Sequence, residues 1–304
     1  MDQPLTVDLV DGTYELFRHY FGRSPGSGGR QGVATRGVLA TVVGLLESGA
    51  THIGVATDHV VESFRNALWP AYKTGEGIPE DLARQFPLLE EALAALGVAV
   101  FPMVDLEADD GLASLAAVAA GDSSVAQVRI WSPDKDLAQC VSGTRVVQVE
   151  SRTGAVRDEA GVRERFGVPP SSIPDWLALV GDSADGFPGI AGWGKASAAA
   201  VLSVYGHLDQ IPDDPDAWVP AARAAVRGAP RLAATLAAER DLASLFRELA
   251  TLRREPPLVG EIGELGWLGP TPDWAAHPLA ALDARLTARV ERLVATRTGS
   301  RALP

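Results

Sequence analysis

Nine carboxylates fall into five separated clusters along the chain: Asp11; Asp58; Glu107, Asp109 and Asp110; Asp134 and Asp136; Asp182 and Asp185. Each cluster sits where a predicted strand ends or a predicted helix begins, so a folded α/β sheet can carry all five to one edge. Like charges gathered in a low-dielectric site repel strongly and are tolerated when cations bind among them. Hard oxygen ligands with no matching Cys/His set suit Mg²⁺ or Mn²⁺. The chemistry this predicts is metal-dependent phosphoryl transfer. Glu107 and Asp110, three apart, share a face at a helix N-terminus, where the helix dipole favours anions. Capping accounts for one or two of the acids there, not for three. Taken singly, Val10-Asp11-Gly12 reads as a turn after a strand, and Ser132 to Asp136 as an exposed turn. The signal lies in the combination.

The elements that must position these acids follow from the apolar pattern. Short apolar runs at Leu5–Val10 and Thr51–Thr57 each end on an acid and read as buried strands, joined by Val98–Pro102, Gln127–Ser132 and Val146–Glu150. Helical spacing runs through Thr35–Glu47, Pro79–Leu96 and Ala108–Ala120, and Gly97 and Gly121 follow as stop signals. Strands alternating with helices of this length imply a mainly parallel sheet flanked by helices. Beyond about Asp158 the strand signals cease, and Glu159–Phe166, Ile173–Val180, Lys195–Tyr205, Asp216–Val226, Pro230–Leu252 and Leu279–Ala295 read as helices. The Gly-rich stretch from Gly22 to Gly32 reads as a mobile loop. Gly192 and Gly194, ahead of a helix start rich in small residues, make a hairpin between two helices whose backbone N–H groups can approach a phosphate. The G-x-G lacks the strand context of a dinucleotide fold.

Composition bounds the partners. The 304 residues are 46% hydrophobic and 22% charged, ordinary for a globular protein of one large or two moderate domains. The single cysteine, Cys140, excludes an internal disulfide framework, reads as a buried small apolar residue and fits a reducing cytoplasm. The N-terminus lacks a basic region followed by a long apolar stretch, and no apolar run approaches the ~18 residues of a membrane span. No membrane association is expected. A formal net charge of −12 argues modestly against nucleic acid, but the clustered acids account for much of it and bound cations would offset them. The five histidines are scattered without ligand spacing.

The ordered set VDG (Val10 to Gly12), SFRNALWPAYK (Ser63 to Lys73), LEADD (Leu106 to Asp110), SPDKDL (Ser132 to Leu137) and GDSADGFPGIAGWGKASA (Gly181 to Ala198) resembles the bacterial 5′-nuclease family. These are the 5′–3′ exonuclease and flap endonuclease domains found alone or at the N-terminus of DNA polymerase I. The likeness covers roughly residues 5 to 255. It implies a PIN-like α/β catalytic domain over residues 1–180. A helical DNA-binding subdomain with a C-terminal extension would fill residues 181–304 and carry a helix-hairpin-helix of the helix-three-turn-helix type. It further implies two divalent cations, with K⁺ on the hairpin carbonyls, and DNA as partner (5′ flaps and nicked, gapped or branched duplex) of a monomeric protein. By motif, Asp11, Asp58, Glu107 and Asp109 would surround the first metal. Asp134, Asp136 and Asp185 would serve the second, and Asp110 and Asp182 would act through water or an outer shell. Lys73 would contact the scissile phosphate, Arg65 would match a second basic catalytic residue in the same segment, and Phe17 would stack on the junction nucleotide. The hairpin residues Gly189, Gly192, Gly194, Lys195 and Ser197 would hold duplex DNA. The segment from Lys73 to Leu89, with the Gly22 to Gly32 loop, is expected to form an arch that admits a 5′ single strand, its Gly-rich character suggesting disorder without DNA.

Three departures from the family pattern stand out. The family's YKxxR is Tyr72-Lys73-Thr74-Gly75-Glu76 here, Ser132-Pro133 replaces Thr-Gly before the paired acids, and Gly186 replaces the Asn after the last acid. Two other readings compete: an RNase of the PIN toxin type, against which the hairpin after Asp185 argues, and a non-catalytic relative that binds DNA structures, against which retention of nine clustered acids argues.

Overall fold

The computed structural model describes residues 5–22, 32–255 and 257–301, without the side chains of 298–301. Residues 23–31, and with them most of the expected loop, lie outside the described residues. The chain divides into two compact units, one of residues 1–61, 75–132 and 254–304, the other of residues 62–74 and 133–253.

In the first unit β1 (Leu5–Asp11), β2 (His52–Asp58), β3 (Ala99–Met103) and β4 (Val125–Trp131) lie side by side in the order β3-β2-β1-β4, every pair parallel. Parallel strands set their C-terminal ends at one edge, where α/β proteins place their chemistry. Successive residues of a strand face opposite ways, and Leu9 and Val10 are both fully buried, so β1 is covered on both faces. The helix Ala108–Gly121 packs on all four strands. Val10, Ile53 and Val55 join a core with Leu16, Val38, Leu89, Leu93 and Trp267. Asp8, buried in mid-strand, is matched across the β1–β4 register by Arg129, whose guanidinium donates to it at 2.8 Å, and by the Trp131 indole at 2.7 Å. That pairing removes Asp8 from any metal site.

Local sequence explains the main departures from expectation. The Asp-Gly at the end of β1 starts the helix Gly12–Phe21 in place of a turn, because Asp11 caps it through the Tyr14 N–H. A Cβ on Gly12 would meet Thr57 Cγ2 at 2.7 Å and the Ala56 carbonyl at 2.9 Å, so only glycine lets this helix start against β2. The expected helix Pro79–Leu96 breaks at Arg84 into Glu80–Ala83 and Gln85–Ala95. Leu82, Phe86 and Leu89 are buried and the Gln85 amide oxygen accepts from the Ala34 and Thr35 N–H groups, so this part of the expected arch packs into the core of the first unit. Residues 257–282 return to the first unit: Trp267 donates its backbone N–H to Thr51 and its indole N–H to Leu96.

The second unit is mostly helical, with an antiparallel pair β5 (Val146–Val149) and β6 (Val156–Arg157). Helices Glu159–Phe166, Ile173–Val180 and Lys195–Tyr205 fall at the predicted bounds, while the expected Pro230–Leu252 helix divides into Ala229–Ala238 and Arg240–Ala250 at Glu239. Its core stacks Phe187 on Phe246 at 5.4 Å and sets Trp69 edge-on to Phe246 at 5.2 Å. The last helix of this unit ends with carbonyls that need donors. Arg65 Nε supplies Leu249 at 2.7 Å, Gln139 Nε2 supplies Ala250 at 2.9 Å, and Arg65 Nη2 reaches Thr251.

Candidate metal centre and nucleic-acid interface

Three of the five acid clusters gather in the first unit, at the C-terminal ends of its strands. Asp11 closes β1, Asp58 closes β2, and Glu107 follows β3 to begin the Ala108 helix. Each is held by donors that leave little freedom. Asp11 accepts the Tyr14 N–H through Oδ1 at 2.8 Å and the Ser132 hydroxyl through Oδ2 at 2.9 Å. Asp58 accepts the Ala108 N–H at 2.6 Å, and its own N–H donates to Thr13 Oγ1. Asp110, with 0% exposure, accepts the Glu107 N–H at 3.0 Å, which fixes the start of the helix that bears Glu107 and Asp109. Ser132 keeps the hydroxyl that the family's threonine would bring, and its contact with Asp11 shows what that hydroxyl does.

The other two clusters gather in the second unit, where one carboxylate oxygen from each of Asp136, Asp182 and Asp185 lies within 4.8 Å of the others, all three residues buried. Asp134 is exposed beside them and accepts the Asp136 N–H at 3.0 Å, while its carbonyl accepts from Gln148 at 2.6 Å. Asp182 and Phe187 exchange backbone hydrogen bonds that close a tight loop, and Asp182 also accepts the Ala184 N–H. Gly186 sits in this loop at φ +84, and a Cβ there would stand 2.2 Å from the Ala71 carbonyl, so the residue that replaces the family's asparagine is confined to glycine. Two lysines offset the charge. Lys73 Nζ lies 3.1 Å from Asp185, whose carbonyl also accepts the Lys73 N–H, and Lys135 Nζ lies 2.6 Å from Asp182.

The electrostatics of this cluster record crowding. Burial, then the charges of Asp134, Asp185 and Asp182, hold Asp136 well above the usual carboxylate range, with Lys73 opposing. Burial alone would depress the Lys135 ammonium, but its hydrogen bond to Asp182 and the charges of Asp182, Asp136 and Asp134 outweigh this and raise it. Asp136 Oδ1 is buried with no hydrogen-bond partner among the described residues. A lone buried carboxylate oxygen in an all-oxygen donor set fits a hard divalent ion and offers nothing to a soft one.

The hairpin runs from the end of the Ile173 helix to Lys195, the first residue of the next helix. Gly181 and Gly189 are its inner hinges. A Cβ on Gly181 would lie 2.4 Å from Pro188, and one on Gly189 2.4 Å from the Gly181 nitrogen. Gly192, at φ +85, and Gly194 face open space and are exposed, as is Lys195. Ser197 Oγ accepts the Gly194 N–H at 2.9 Å and caps the new helix. Trp193 is buried against Trp218, with its indole N–H on the Leu232 carbonyl, and so serves packing.

Two expected contacts lie elsewhere. Arg65, expected as a basic catalytic residue, is 1% exposed and spends its guanidinium on a helix C-terminus. Phe17 is half-buried and meets Phe86 edge-on at 6.0 Å, a packing role on the Gly12 helix. Conversely, Lys135 and Gln139 lie at the site without being candidates from the sequence. Lys135 carried a signal, a cation set between two clustered acids. The partners of Gln139 lie far along the chain and leave no local pattern.

Comparison with known proteins agrees with this geometry. The 5′-3′ exonuclease N-terminal resolvase-like domain matches residues 6–167, and the 5′-3′ exonuclease C-terminal SAM fold matches residues 168–273. DNA polymerase I of Pseudomonas aeruginosa is 34% identical over 270 residues, covering 84% of this chain and 28% of the polymerase. The chain thus spans under a third of the length of that relative. The 5′-3′ exonuclease of Aquifex aeolicus is 33% identical over 210 residues, 68% of this chain and 72% of that protein. The flap endonuclease of bacteriophage T5, solved with DNA and metal ions, superimposes with a TM-score of 0.63 at 18% identity, covering 95% of this chain and 98% of the phage protein. The catalytic core of Rad2 with a DNA substrate gives 0.62 at 14% identity, over 96% of this chain and 92% of Rad2. These two likenesses speak to the fold, a PIN-like parallel sheet with a helical C-terminal part. With both family domains matched in order, the chain belongs to the 5′-3′ exonuclease family.

Proposed function

We propose that this protein is a structure-specific 5′-nuclease that hydrolyses DNA phosphodiester bonds in replication and repair, acting as 5′–3′ exonuclease and 5′-flap endonuclease. The observation that carries the reading is the buried triad Asp136, Asp182 and Asp185 with its orphaned oxygen. In this reading Asp136 and Asp185, with Asp134, hold one divalent ion, and Asp182 acts from behind. Asp11, Asp58, Glu107 and Asp109 hold the other, with Asp110 fixing their helix. Mg²⁺ or Mn²⁺, when bound, would activate water and stabilise the leaving 3′-oxygen. Lys73 would exchange Asp185 for the scissile phosphate and stabilise the charge that develops on it. Gly189, Gly192, Gly194, Lys195 and Ser197 would present backbone N–H groups and one cation to duplex phosphates, with K⁺ on the hairpin carbonyls. The catalytic part is taken as residues 1–180 and the DNA-holding part as 181–304. The protein would work as a cytoplasmic monomer; among the described residues no helix is long and apolar enough to cross a membrane.

The test is product mapping on 5′-labelled flap, gapped and nicked duplexes with Mg²⁺, with Mn²⁺ and with chelator. Metal-dependent release of fragments from the 5′ side of the junction is expected. Absence of metal-dependent cleavage, or preference for single-stranded RNA, would overturn the assignment.

A further inference from the structure

A cleft of about 510 Å³ in the second unit lies apart from the exposed hairpin glycines, and Lys135, Arg165 and Lys195 line it. Its wall is formed by Phe166, Trp176, Gly181 and the first turns of the Lys195 helix. The three cations come from three elements: the acidic turn after β4, the end of the Glu159 helix and the start of the Lys195 helix. In a chain of net charge −12 such convergence runs against the average. Lys135 is paired with Asp182, whereas neither Arg165 nor Lys195 has a carboxylate partner among the described residues. The Arg165 guanidinium lies over the Phe166 ring, 5.2 Å from its centroid, which orients it without neutralising it.

Two further observations bear on what this cleft can take. Arg157 is depressed by burial first and by the neighbouring charge of Arg165 second, with Glu150 opposing, so Arg165 stands near a second cation. Trp176 is 4% exposed, and its indole N–H, a group that can only donate, lacks an acceptor among the described residues. Separate cations and a buried donor around one concavity are what a phosphate oxygen group neutralises.

We propose that this cleft is a phosphate subsite that takes an internal phosphodiester of the DNA strand running between the acidic triad and the hairpin. The inference rests on the nuclease reading and adds to it a contact outside the metal centre and the hairpin loop. Its position supports the assignment. Lys135 stands between Asp134 and Asp136, and Lys195 is the first residue beyond the hairpin, so a strand engaged by both passes the cleft. An open groove with cations from different elements suits a backbone phosphate in passage, whereas a terminal phosphate would call for a closed nest of N–H groups. Arg165 is therefore a binding and positioning residue for the substrate.

The experiment measures affinity for a 5′-flap duplex across salt concentrations, in Ca²⁺ to prevent turnover, for the wild-type protein and its Arg165→Gln, Arg165→Lys and Arg163→Gln variants. Arg163 is exposed, paired with Glu159 and does not line the cleft. Loss of one phosphate contact should lower the slope of log affinity against log salt by about one. The affinity lost between 50 and 200 mM salt should then shrink by roughly three- to fourfold. Arg165→Lys should restore most of the slope, and Arg163→Gln should match wild type. Wild-type slope and affinity in Arg165→Gln, while wild type binds and cleaves flaps, would overturn the subsite and leave the nuclease reading intact. A loss confined to flaps bearing a 5′-phosphate, absent with a 5′-hydroxyl, would overturn the internal position. Failure of wild type itself to bind or cleave would sink the nuclease reading, and the subsite with it.

Discussion

The two carboxylate groups are built on different principles. In the first unit the acids are held by the fold itself: Asp11 by a helix N-terminus and the Ser132 hydroxyl, Asp58 by the Ala108 N–H, and Glu107 by the Asp110 cap. In the second unit Asp182 and Asp185 sit on a tight loop, with the Ala184 N–H on Asp182, and lysines offset the crowded charge, Lys73 on Asp185 and Lys135 on Asp182. Backbone donors stay in place whether or not a cation arrives. Lysines can leave. In the function proposed above, the first set would act as a preorganised ligand field, and the second would trade internal ion pairs for metal and phosphate. The first should be sensitive to the fold and the second to pH, metal and charge.

The largest effect that probes this contrast comes from Asp136→Asn. It removes the ligand with the orphaned oxygen, and single-turnover cleavage of a 5′ flap at saturating Mg²⁺ should fall by more than the ~10- to 100-fold cost of losing a supporting partner of a metal site. In chelator the same change should stabilise the fold at neutral pH. The sign follows from the direction of the shift. Asp136 titrates above its unfolded value of ~3.9, so the stability it favours is fully present below that pH and is lost as pH rises through its elevated folded value. Thermal melting in chelator should show wild type losing stability over that window and Asp136→Asn losing less, and added Mn²⁺ should restore wild type. Melting curves with the same pH dependence in both would deny the crowded-charge description.

Lys73→Ala should lower the single-turnover rate by on the order of 10²-fold, the scale of losing one preorganised electrostatic donor. A rate equal to wild type would show that Lys73 only neutralises Asp185. Ser132→Ala tests the other group. Losing a buried hydrogen bond to the Asp11 carboxylate should cost roughly 1–3 kcal/mol in urea denaturation, with little dependence on added Mg²⁺. A cost that vanishes with Mg²⁺ would mean that the first group too is organised by metal. The smallest effect is expected of Glu76→Arg. Glu76 is exposed, so an arginine there should strengthen flap binding and its salt dependence by about one phosphate contact, with the chemical rate unchanged. An increased single-turnover rate would instead place this position beside the reacting phosphate.

Much of this was legible in the sequence, for physical reasons that also mark where legibility ends. Buried parallel strands are short apolar runs, so β1 and β2 showed themselves with their acids attached. The helices Glu159–Phe166 and Lys195–Tyr205 carry Gly167 and Gly206 at positive φ as stops, and their bounds could be read directly. The helix Gly12–Phe21 was hidden because Asp-Gly signals a turn equally well, and what decides is the fit of Gly12 against Thr57 and Ala56, a tertiary contact. The break at Arg84 leaves no mark in a continuous helical pattern. At the site, the acids were visible as a set, but their division into two groups was not. Arg65 had the charge expected of a phosphate contact, and its burial against Leu249 could be known only from partners 184 residues away.

The central claim of the proposed function is that Asp136 and Asp185, with Asp134 and backed by Asp182, hold a divalent ion independently of the acids of the first unit. Calorimetric titration of the DNA-free protein with Mn²⁺ tests it most directly, comparing wild type with Asp136→Asn. Two ions per wild-type chain and one per Asp136→Asn chain are expected, with the remaining affinity close to that of the wild-type first site. Equal stoichiometry in the two proteins would contradict the claim.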